Sequence, residues 1–260
     1  MKRVRIVVRN DKPQADVIAH RLIATLSGEG VEANDICESP DAVVAIGGDG
    51  TVLAAAATAL DLGIPICGVN VGRVGYLAEF EETEINDLAS AIAGDTYSIR
   101  THNTLSVETG AHQASAINDV VLEKVVSQRI IEIAVRINGK ELASYRTDGL
   151  ILATPLGSTA YSLSAGGPVM DPSLDALILT PVAPHSLFAR SIVLAPDAVV
   201  SLSVEVARPA RINVDGRELC IVQAGEEVRI SRGPTTVEFL SLGRHPFPEA
   251  VRDQFGLDNA

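Results

Sequence analysis

The alternation of apolar strands and helical segments in the first third of the chain constrains the fold most strongly. Apolar runs of strand length occupy residues 4–8, 42–46 and 64–69, and segments of helical periodicity begin at residues 13, 51 and 85. Strands that alternate with helices predict a parallel sheet that is covered on both faces, as in doubly wound folds.

The pattern changes after about residue 96, where short β-rich runs follow one another. Asn138-Gly139 and Asp215-Gly216 are typical of tight hairpin turns, because both central positions of a type I′ turn need a positive φ. We therefore predict an α/β domain over residues 1–96, with residues 237–260 packing back onto it, and a β-rich domain over residues 97–236. Within the β-rich part we predict helices at 158–164 and around 171–179, and a turn at Gly233-Pro234.

Composition and charge exclude several classes of protein. The chain carries 21 Lys and Arg residues against 33 Asp and Glu residues, a formal net charge of −12. Nucleic-acid-binding proteins and polybasic membrane anchors both need a basic surface, so this balance disfavours them. No apolar run approaches the roughly 18–20 residues of a membrane span, and the N-terminus shows no signal-peptide pattern. Three widely spaced cysteines make neither a disulfide framework nor a zinc site. We expect a cytoplasmic protein.

The segment Gly47-Gly48-Asp49-Gly50-Thr51 lies between a predicted buried strand and a predicted helix. Ligands of open α/β sheets bind at the carboxyl ends of the strands, and a glycine backbone followed by a helix N-terminus suits a phosphate group. A carboxylate there is repelled by phosphate unless it meets a cation or takes a proton from a hydroxyl, both of which a phosphotransferase needs. Alternatively, the segment is a tight turn in which Asp49 or Thr51 caps the helix.

Two further segments carry unusual patterns after or within predicted strands. Residues 68–77 are rich in glycine and include Arg73, which is either a phosphate contact or an ordinary surface residue. Asn118 and Asp119 are adjacent polar residues inside an apolar run, so they mark either a strand end or a ligand contact. In the second case, Asn can pair with an adenine edge and Asp can accept hydrogen bonds from ribose hydroxyls.

The longest unusual segment, residues 147–168, surrounds an apolar strand at 150–153 with hydroxyl side chains, glycines and Tyr161. This composition suits the recognition of sugar hydroxyls and of a base. It does not indicate nucleophilic catalysis, because the Gly-x-Ser-x-Gly elbow of serine hydrolases is missing.

Taken in order, these segments strongly resemble the NAD kinase family. The resemblance is carried by residues 47–51, 68–77, 118–119, 147–149 and 154–168, and by later segments at 184–187 with Arg190 and at 213–216. It extends over about residues 1–245. The diglycine segment also occurs in lipid kinases, whereas its combination with residues 157–167 is highly specific. The resemblance implies a Rossmann-like α/β domain followed by a β-sandwich-like domain.

The resemblance also implies an activity and a set of site residues. The family transfers the terminal phosphoryl group of ATP, or in some members of polyphosphate, to the 2′-hydroxyl of the adenosine ribose of NAD, which gives NADP. Asp49 would accept the proton of that hydroxyl, with Gly50 beside it, and Asn118 and Asp119 would contact the adenine and a ribose. Asp148 would reach the nicotinamide end from a neighbouring subunit of a homodimer or homotetramer with a shared active site. Further expected contacts are Arg129, Arg146, Leu156, Thr159, Ala160, Tyr161, Ser162, Leu163, Ser164 and Arg217.

Cationic side chains are scarce in the segments that should hold phosphate. Position 54, often basic in relatives, is Ala54, so Arg73 is the candidate substitute. The chain has only four lysines, none of them in a glycine-rich segment: Lys2, Lys12, Lys124 and Lys140. We therefore expect backbone N–H groups, a few arginines and a divalent cation, Mg²⁺ brought by ATP, to hold the phosphates. We assign no protein side chain as a metal ligand.

Two other functions are compatible with parts of the sequence. A lipid kinase shares the diglycine segment and the two-domain plan, but it does not account for residues 157–167, and the chain lacks a basic or apolar membrane-facing stripe. A dinucleotide-sensing module that binds without turnover would not need the carboxylate of Asp49.

Overall fold

The computed structural model describes residues 1–9, 12–72, 75–126, 129–185, 188–205, 208–244 and 246–257. The chain divides into two compact units. The first unit contains Met1–His102 and the chain from Val237 onward, and the second unit contains Asn103–Thr236.

The strands are β1 (Arg3–Val8), β2 (Glu32–Asn34), β3 (Ala42–Gly47), β4 (Ile66–Asn70), β5 (Ser98–Thr109), β6 (His112–Ala116), β7 (Asp119–Lys124), β8 (Ile131–Ile137), β9 (Lys140–Thr147), β10 (Gly149–Ala153), β11 (Leu177–Val182), β12 (Ile192–Leu194), β13 (Val200–Val204), β14 (Ala210–Val214), β15 (Arg217–Val222) and β16 (Glu227–Ser241). The α-helices are α1 (Pro13–Gly28), α2 (Asp49–Leu62), α3 (Ile85–Gly94), α4 (Tyr161–Ser164) and α5 (Phe247–Phe255), and short 3-10 turns occupy Glu82–Glu84 and Leu156–Thr159. The unit boundaries fall inside β5 and β16, so each of these strands begins in one unit and ends in the other.

The first unit is built on a parallel sheet with the strand order β2-β1-β3-β4, and the end of β16 lies parallel to β4. On one face, α1 buries Ile18, Leu22 and Leu26 at helical spacing in the same apolar cluster as α3. Successive residues of a strand face opposite sides of the sheet. Gly68 lies in the sequence between two residues of that cluster, so it faces the other side, where it lies against Val52 of α2. The sheet is therefore covered on both faces, as the alternation of elements predicts.

The second unit is a β-sandwich. One layer has the antiparallel order β9-β8-β13-β16. In the same layer, β5 also pairs with β16, and β6 pairs with β5. The other layer is antiparallel throughout, in the order β12-β11-β10-β7-β14-β15. Apolar side chains from both layers, such as Leu122 and Leu152 of one and Ile133 and Leu202 of the other, form a single core cluster.

Two local predictions for the second unit are wrong. The segment around 171–179 is a turn followed by β11, not a helix, because Leu179 pairs with Leu152 of the buried β10 and the pairing overrides the leucine-rich pattern. Gly233-Pro234 is not a turn but lies within the continuous strand β16. A Cβ on Gly233 would be 2.2 Å from Thr104 Oγ1, so the glycine allows the close approach of β5.

No helix within the described ranges combines the length and the apolar character needed to cross a membrane.

The packing of α2 on the sheet predicts a stability difference between two glycine substitutions. A Cβ on Gly68 would lie 2.7 Å from Val52 Cγ2 and 2.9 Å from Ala78 Cα, so Gly68→Ala forces the backbone to shift. We expect it to lower the free energy of unfolding by about 1–3 kcal/mol in urea titrations. Gly28→Ala is the control, because a Cβ at this last residue of α1 meets nothing within 4 Å. Unchanged stability of Gly68→Ala would contradict this account.

Candidate active site

The carboxyl ends of parallel strands bring two of the predicted segments together in the first unit. Gly47 and Asn70 are paired at the ends of β3 and β4, and the N–H of Val71 donates to the Gly47 carbonyl at 3.1 Å. Segments 47–51 and 68–77 therefore begin side by side at one edge of the sheet, where open α/β folds bind their ligands.

Asp49 is the first residue of α2, and its carboxylate holds the second glycine-rich segment. The N-cap residue, Gly48, is extended and provides no side-chain cap. Instead, Asp49 Oδ2 accepts the N–H of Tyr76 at 2.9 Å and Oδ1 accepts the N–H of Leu77 at 3.0 Å. A Cβ on Gly75 would lie 2.0 Å from Asp49 Oδ1, so only glycine fits beside this carboxylate. Asp49 is thus tied to a neighbouring loop and does not cap its own helix.

The three glycines within residues 47–51 differ in what surrounds them. A Cβ on Gly47 would lie 2.4 Å from Thr51 Oγ1, so this glycine is required by packing inside the unit. A Cβ on Gly48 or Gly50 would meet no atom within 4 Å. The backbone on either side of Asp49 is therefore open to an incoming group, next to the unpaired N–H groups with which every helix begins.

Two polar groups of the second segment are buried near this edge. Asn70 is 6% exposed, its Nδ2 donates to the Gly72 carbonyl at 3.3 Å, and its Oδ1 has no hydrogen-bond partner among the described residues. The hydroxyl of Tyr76 is also buried without a partner among them, and its ring contacts that of Phe255 in α5, with centroids 6.4 Å apart. Burial, and secondarily the charge of Asp49, raises the pKa of Tyr76.

Lys12 is a residue of this edge that sequence reasoning missed. Its Nζ donates to the carbonyl of Val71 at 2.8 Å, so an ammonium group does contact the second glycine-rich segment. The available signal was its place in the chain, directly before α1 and therefore just past the carboxyl end of β1. Arg73, the predicted phosphate contact, lies outside the described residues.

In the second unit, Asp215 organises the start of β7. Its carboxylate accepts the backbone N–H groups of Ile117 at 2.8 Å, Asn118 at 2.7 Å and Asp119 at 3.1 Å. Asp215 and Gly216 have φ values of 49° and 76° and join β14 to β15, which confirms the predicted hairpin turn. The turn residue is therefore also the anchor of the Asn118-Asp119 segment, a role that its sequence position alone did not reveal.

The segment that begins at Thr154 packs directly on Asn118. The Thr154 hydroxyl donates to the Ile117 carbonyl at 2.7 Å, and the Thr154 N–H donates to the Asn118 carbonyl at 2.9 Å. A Cβ on Gly157 would be 2.1 Å from the same Asn118 oxygen, so the backbones touch only because residue 157 is glycine. Asn118 is 9% exposed, and its Oδ1 lacks a partner within the described part of the chain.

Asp119 is buried, and the half-buried carboxyl group of Asp215 lies close enough to influence it. Burial, with a further contribution from the charge of Asp215, raises the pKa of Asp119 to about 7. Burial also raises the pKa of Asp215, although its three N–H bonds and Arg217 act in the opposite direction. Because N–H donors favour the charged form, we assign the ionised state to Asp215 and the proton near neutral pH to Asp119.

Three acidic side chains lie near Tyr161, the exposed first residue of α4. Burial raises the pKa of its hydroxyl, and the charges of Glu123, Asp148 and Asp119 raise it further. Asp148 is paired within its own chain, with its Oδ1 2.5 Å from Lys124 Nζ. Two predicted residues of the second unit, Asp119 and Asp148, are thus close enough to Tyr161 to interact with it, together with Glu123, which was not predicted.

The other predicted residues of the second unit differ in accessibility. Leu156 is buried, and Ser162 is buried with its Oγ 2.9 Å from Thr180 Oγ1, so this hydroxyl is engaged in the interior. Exposed or half-buried positions are occupied by Arg129, Arg146, Thr159, Ala160, Leu163, Ser164 and Arg217. In the described ranges, no group of three or more His, Cys, Asp or Glu side chains is placed to hold a metal ion.

The raised pKa of Asp119 predicts a pH-dependent stability. Because the pKa is about 7 when folded and near 3.8 in an unfolded chain, the stabilisation is complete below pH 4 and is lost as the pH rises through 7. Between pH 5 and pH 8 we expect wild type to lose about 2–3 kcal/mol of unfolding free energy relative to Asp119→Asn, because each pH unit below the folded pKa contributes about 1.4 kcal/mol.

Asp171→Asn is the control for this pH experiment. Hydrogen bonds from Ser173 lower the pKa of Asp171, so it is ionised throughout this pH range in both folded and unfolded chains. Its difference from wild type should stay constant between pH 5 and pH 8. An equally constant difference for Asp119→Asn would contradict the assignment of the proton to Asp119.

Comparison with known proteins places this arrangement in a family. The family model of the ATP-NAD kinase N-terminal domain matches residues 31–97, and that of the C-terminal domain matches residues 117–242. A curated NAD kinase from Lachnoclostridium phytofermentans is 32% identical in an alignment that covers 98% of this chain and 99% of the relative. One from Thermobifida fusca is 38% identical over 233 residues, which cover 86% of this chain and 72% of the relative.

Solved structures agree with the sequence relatives. An NAD kinase from Archaeoglobus fulgidus, crystallised in complex with ATP, is similar with a TM-score of 0.80 and 27% identity, over 98% of each chain. Yeast NADH kinase complexed with NADH has the same fold, with a TM-score of 0.90 and 20% identity over 100% of this chain and 89% of that one. Because the family models together match most of the sequence and the relatives align over nearly all of it, this chain belongs to the NAD kinase family.

Proposed function

We propose that this chain transfers the terminal phosphoryl group of ATP to the 2′-hydroxyl of the adenosine ribose of NAD, which forms NADP and ADP. The observation that carries the proposal is the placement of Asp49. Its carboxylate stands between two open glycines at a helix N-terminus, held by two backbone N–H groups. Membership of the NAD kinase family, and the complex that the A. fulgidus NAD kinase forms with ATP, support the choice of substrates.

Asp49 acts as the proton acceptor in this reaction. The ribose oxygen forms a bond to the terminal phosphorus while the bond from that phosphorus to the bridging oxygen of ADP breaks, and the hydroxyl proton moves to the carboxylate. A base in this position contributes through alignment as much as through proton affinity. The N–H groups of Tyr76 and Leu77 fix both carboxylate oxygens and so restrict the rotation of the side chain.

The phosphates of ATP bind at the same sheet edge. Open space above Gly48 and Gly50 lets oxygen atoms approach the backbone, and the first N–H groups of α2 carry the partial positive charge of a helix end. A divalent cation bound to the phosphates of ATP would neutralise charge on the transferred phosphoryl group.

The dinucleotide contacts are assigned to the second unit. Asn118 and Asp119 bind the adenine and a ribose, and Thr159, Ala160, Tyr161 and Ser164 line the pocket for the bases. Asp148 and Arg146 lie toward the nicotinamide end, with Arg129, Leu156, Ser162, Leu163 and Arg217 as further contacts. The buried start of β7, fixed by Asp215, supports this assignment because it holds Asn118 and Asp119 in one place. We also propose a cytoplasmic homo-oligomer whose subunits share active sites through Asp148.

A donor-by-acceptor activity matrix tests the function. ATP or polyphosphate is combined with NAD or NADH in Mg²⁺, and we expect NADP from NAD and ATP, measured with an NADP-specific dehydrogenase. Excess EDTA should abolish the reaction and added Mg²⁺ should restore it, because the acidic chain depends on a cation for phosphate neutralisation. Diacylglycerol is added to the matrix as a third acceptor, which tests for lipid kinase activity.

Three outcomes would overturn the proposal. Absence of NADP with both donors excludes the kinase, and phosphorylation of the lipid in place of NAD favours a lipid kinase. Calorimetric binding of NAD without turnover indicates a sensor.

Asp49→Asn tests the base. We expect kcat to fall about 10²–10⁴-fold, the usual contribution of a general base, while calorimetric binding of NAD persists. The variant also weakens one N–H contact to the loop, because an amide offers a single acceptor oxygen.

Asp41→Asn is the control for the loss of a carboxylate charge. The Asp41 carboxylate also accepts two successive backbone N–H groups, from Lys2 at 2.8 Å and Arg3 at 3.0 Å, both on Oδ2, but it precedes β3 and so lies at the opposite edge of the sheet. Because one amide oxygen can still accept both bonds, we expect Asp41→Asn to keep activity near wild type. Equal losses of activity in the two variants would remove Asp49 from the role of base.

A further inference from the structure

The side chain of Lys12 is placed beside the candidate phosphate site by a chain of two hydrogen bonds. Its Nζ donates to the Val71 carbonyl at 2.8 Å, and the N–H of Val71 donates to the carbonyl of Gly47 at 3.1 Å. Gly47 immediately precedes the open glycine Gly48, so the ammonium group is connected to the backbone that leads into α2. Asp49 contacts the same loop further along the chain, at Tyr76 and Leu77.

Glycine at position 72 allows this approach. Its φ of +112° lies in a region that L side chains rarely adopt, and a Cβ there would lie 3.2 Å from Lys12 Nζ. The loop therefore leaves room for the ammonium group at the cost of a conformation that only glycine adopts freely.

A lysine at this position is unfavourable for the helix that follows. Lys12 is the N-cap residue of α1, where Ser, Thr, Asp or Asn would satisfy a free N–H group, and it makes no such bond. A basic residue at a helix N-terminus is also unfavourable because that end carries a partial positive charge. Pro13 at the first helical position removes one N–H donor, yet the unfavourable charge remains. Residues that break a local preference in this way are typical of binding sites, where a ligand offsets the cost.

Asn70 provides an independent sign that a ligand belongs here. The residue is buried, only 6% exposed, and its Nδ2 points to the Gly72 carbonyl. Its Oδ1 therefore lies at the segment that Lys12 contacts, without a partner among the described residues. A buried acceptor is costly unless a donor or a cation reaches it. Water or a cation that accompanies a phosphate would satisfy this oxygen.

We infer that Lys12 binds the triphosphate of the phosphoryl donor, as a lysine that reaches the glycine-rich segments, which contain none of their own. This inference rests on the proposed kinase function. An ammonium group has three donors, and its contact with Val71 uses one, so two remain for phosphate oxygens. Lys12 thereby takes the place of the basic residue that Ala54 cannot provide. In a chain with a net charge of −12, such a local cation is required because no broad positive field attracts the nucleotide.

A purely structural role for Lys12 makes different predictions. If the ammonium group only supported the loop, its loss would displace Asp49 and lower kcat, with little effect on the affinity for phosphate. If it binds the donor, its loss weakens the binding of any triphosphate and leaves NAD binding unchanged. The affinities for donor and acceptor therefore separate the two roles.

The test compares Lys12→Ala and Lys12→Arg with Lys140→Ala, a control that removes an exposed lysine from β9 in the second unit. We measure KM for ATP, KM for NAD, kcat, and calorimetric binding of inorganic tripolyphosphate in Mg²⁺. For Lys12→Ala we expect KM for ATP and the Kd of tripolyphosphate to rise at least tenfold, with KM for NAD changed less than twofold. Lys12→Arg should retain most of the affinity because it keeps the charge, and Lys140→Ala should match wild type.

Two results would overturn the inference. One is an unchanged Kd of tripolyphosphate in Lys12→Ala, whatever happens to kcat. The other is an equal rise of KM for both substrates, which indicates a general loss of structure. Tripolyphosphate binding needs no turnover, so it reports on Lys12 even if wild type forms no NADP. Failure of the kinase proposal and failure of this inference are therefore distinguishable.

Discussion

Carboxylates that accept backbone N–H groups hold the functional segments of this protein in place. Asp49 does so for residues 76–77 in the first unit, and Asp215 does so for residues 117–119 in the second. Such charge-assisted bonds are stronger than neutral ones. In the first unit they fix a loop whose glycines would otherwise leave it many conformations. The same bonds orient the carboxylates. In each unit, therefore, the group that organises the loop is itself held in a defined position.

A chain with a net charge of −12 that binds two phosphate-bearing substrates must stabilise their negative charge with groups inside the binding site. Helix N-termini, open glycine backbone and Lys12 are concentrated at the carboxyl edge of the parallel sheet. In the second unit the local charge is negative instead, because Asp119, Asp215 and the acids near Tyr161 form an acidic region. Protonation of Asp119 reduces the repulsion there, and it adds a hydrogen-bond donor where the sequence alone indicates an acceptor.

Much of the fold was predictable because it depends on local patterns. In the first unit, the strands β1, β3 and β4 and the helices α1, α2 and α3 follow from periodicity. The Asp215-Gly216 hairpin follows from a turn that needs positive φ. The failures have a common cause in long-range contacts. Residues 177–179 form a strand because β10 is available beside them, and Gly233 lies in a strand because Thr104 of β5 approaches it. Neither partner can be identified from the local sequence.

The sequence by itself determined which chemical groups are present: the carboxylate of Asp49, the flexible glycine backbone around it and the scarcity of lysine. Only the tertiary structure decided what those groups contact. Asp49 accepts a hydrogen bond from Tyr76, which is 27 residues further along the chain. Lys12 donates a hydrogen bond to Val71, which is 59 residues away in the sequence. These contacts arise because parallel strands that are distant in sequence end at one edge of a sheet. Strand order sets that adjacency, and it is fixed by packing over the whole unit, which no segment specifies alone.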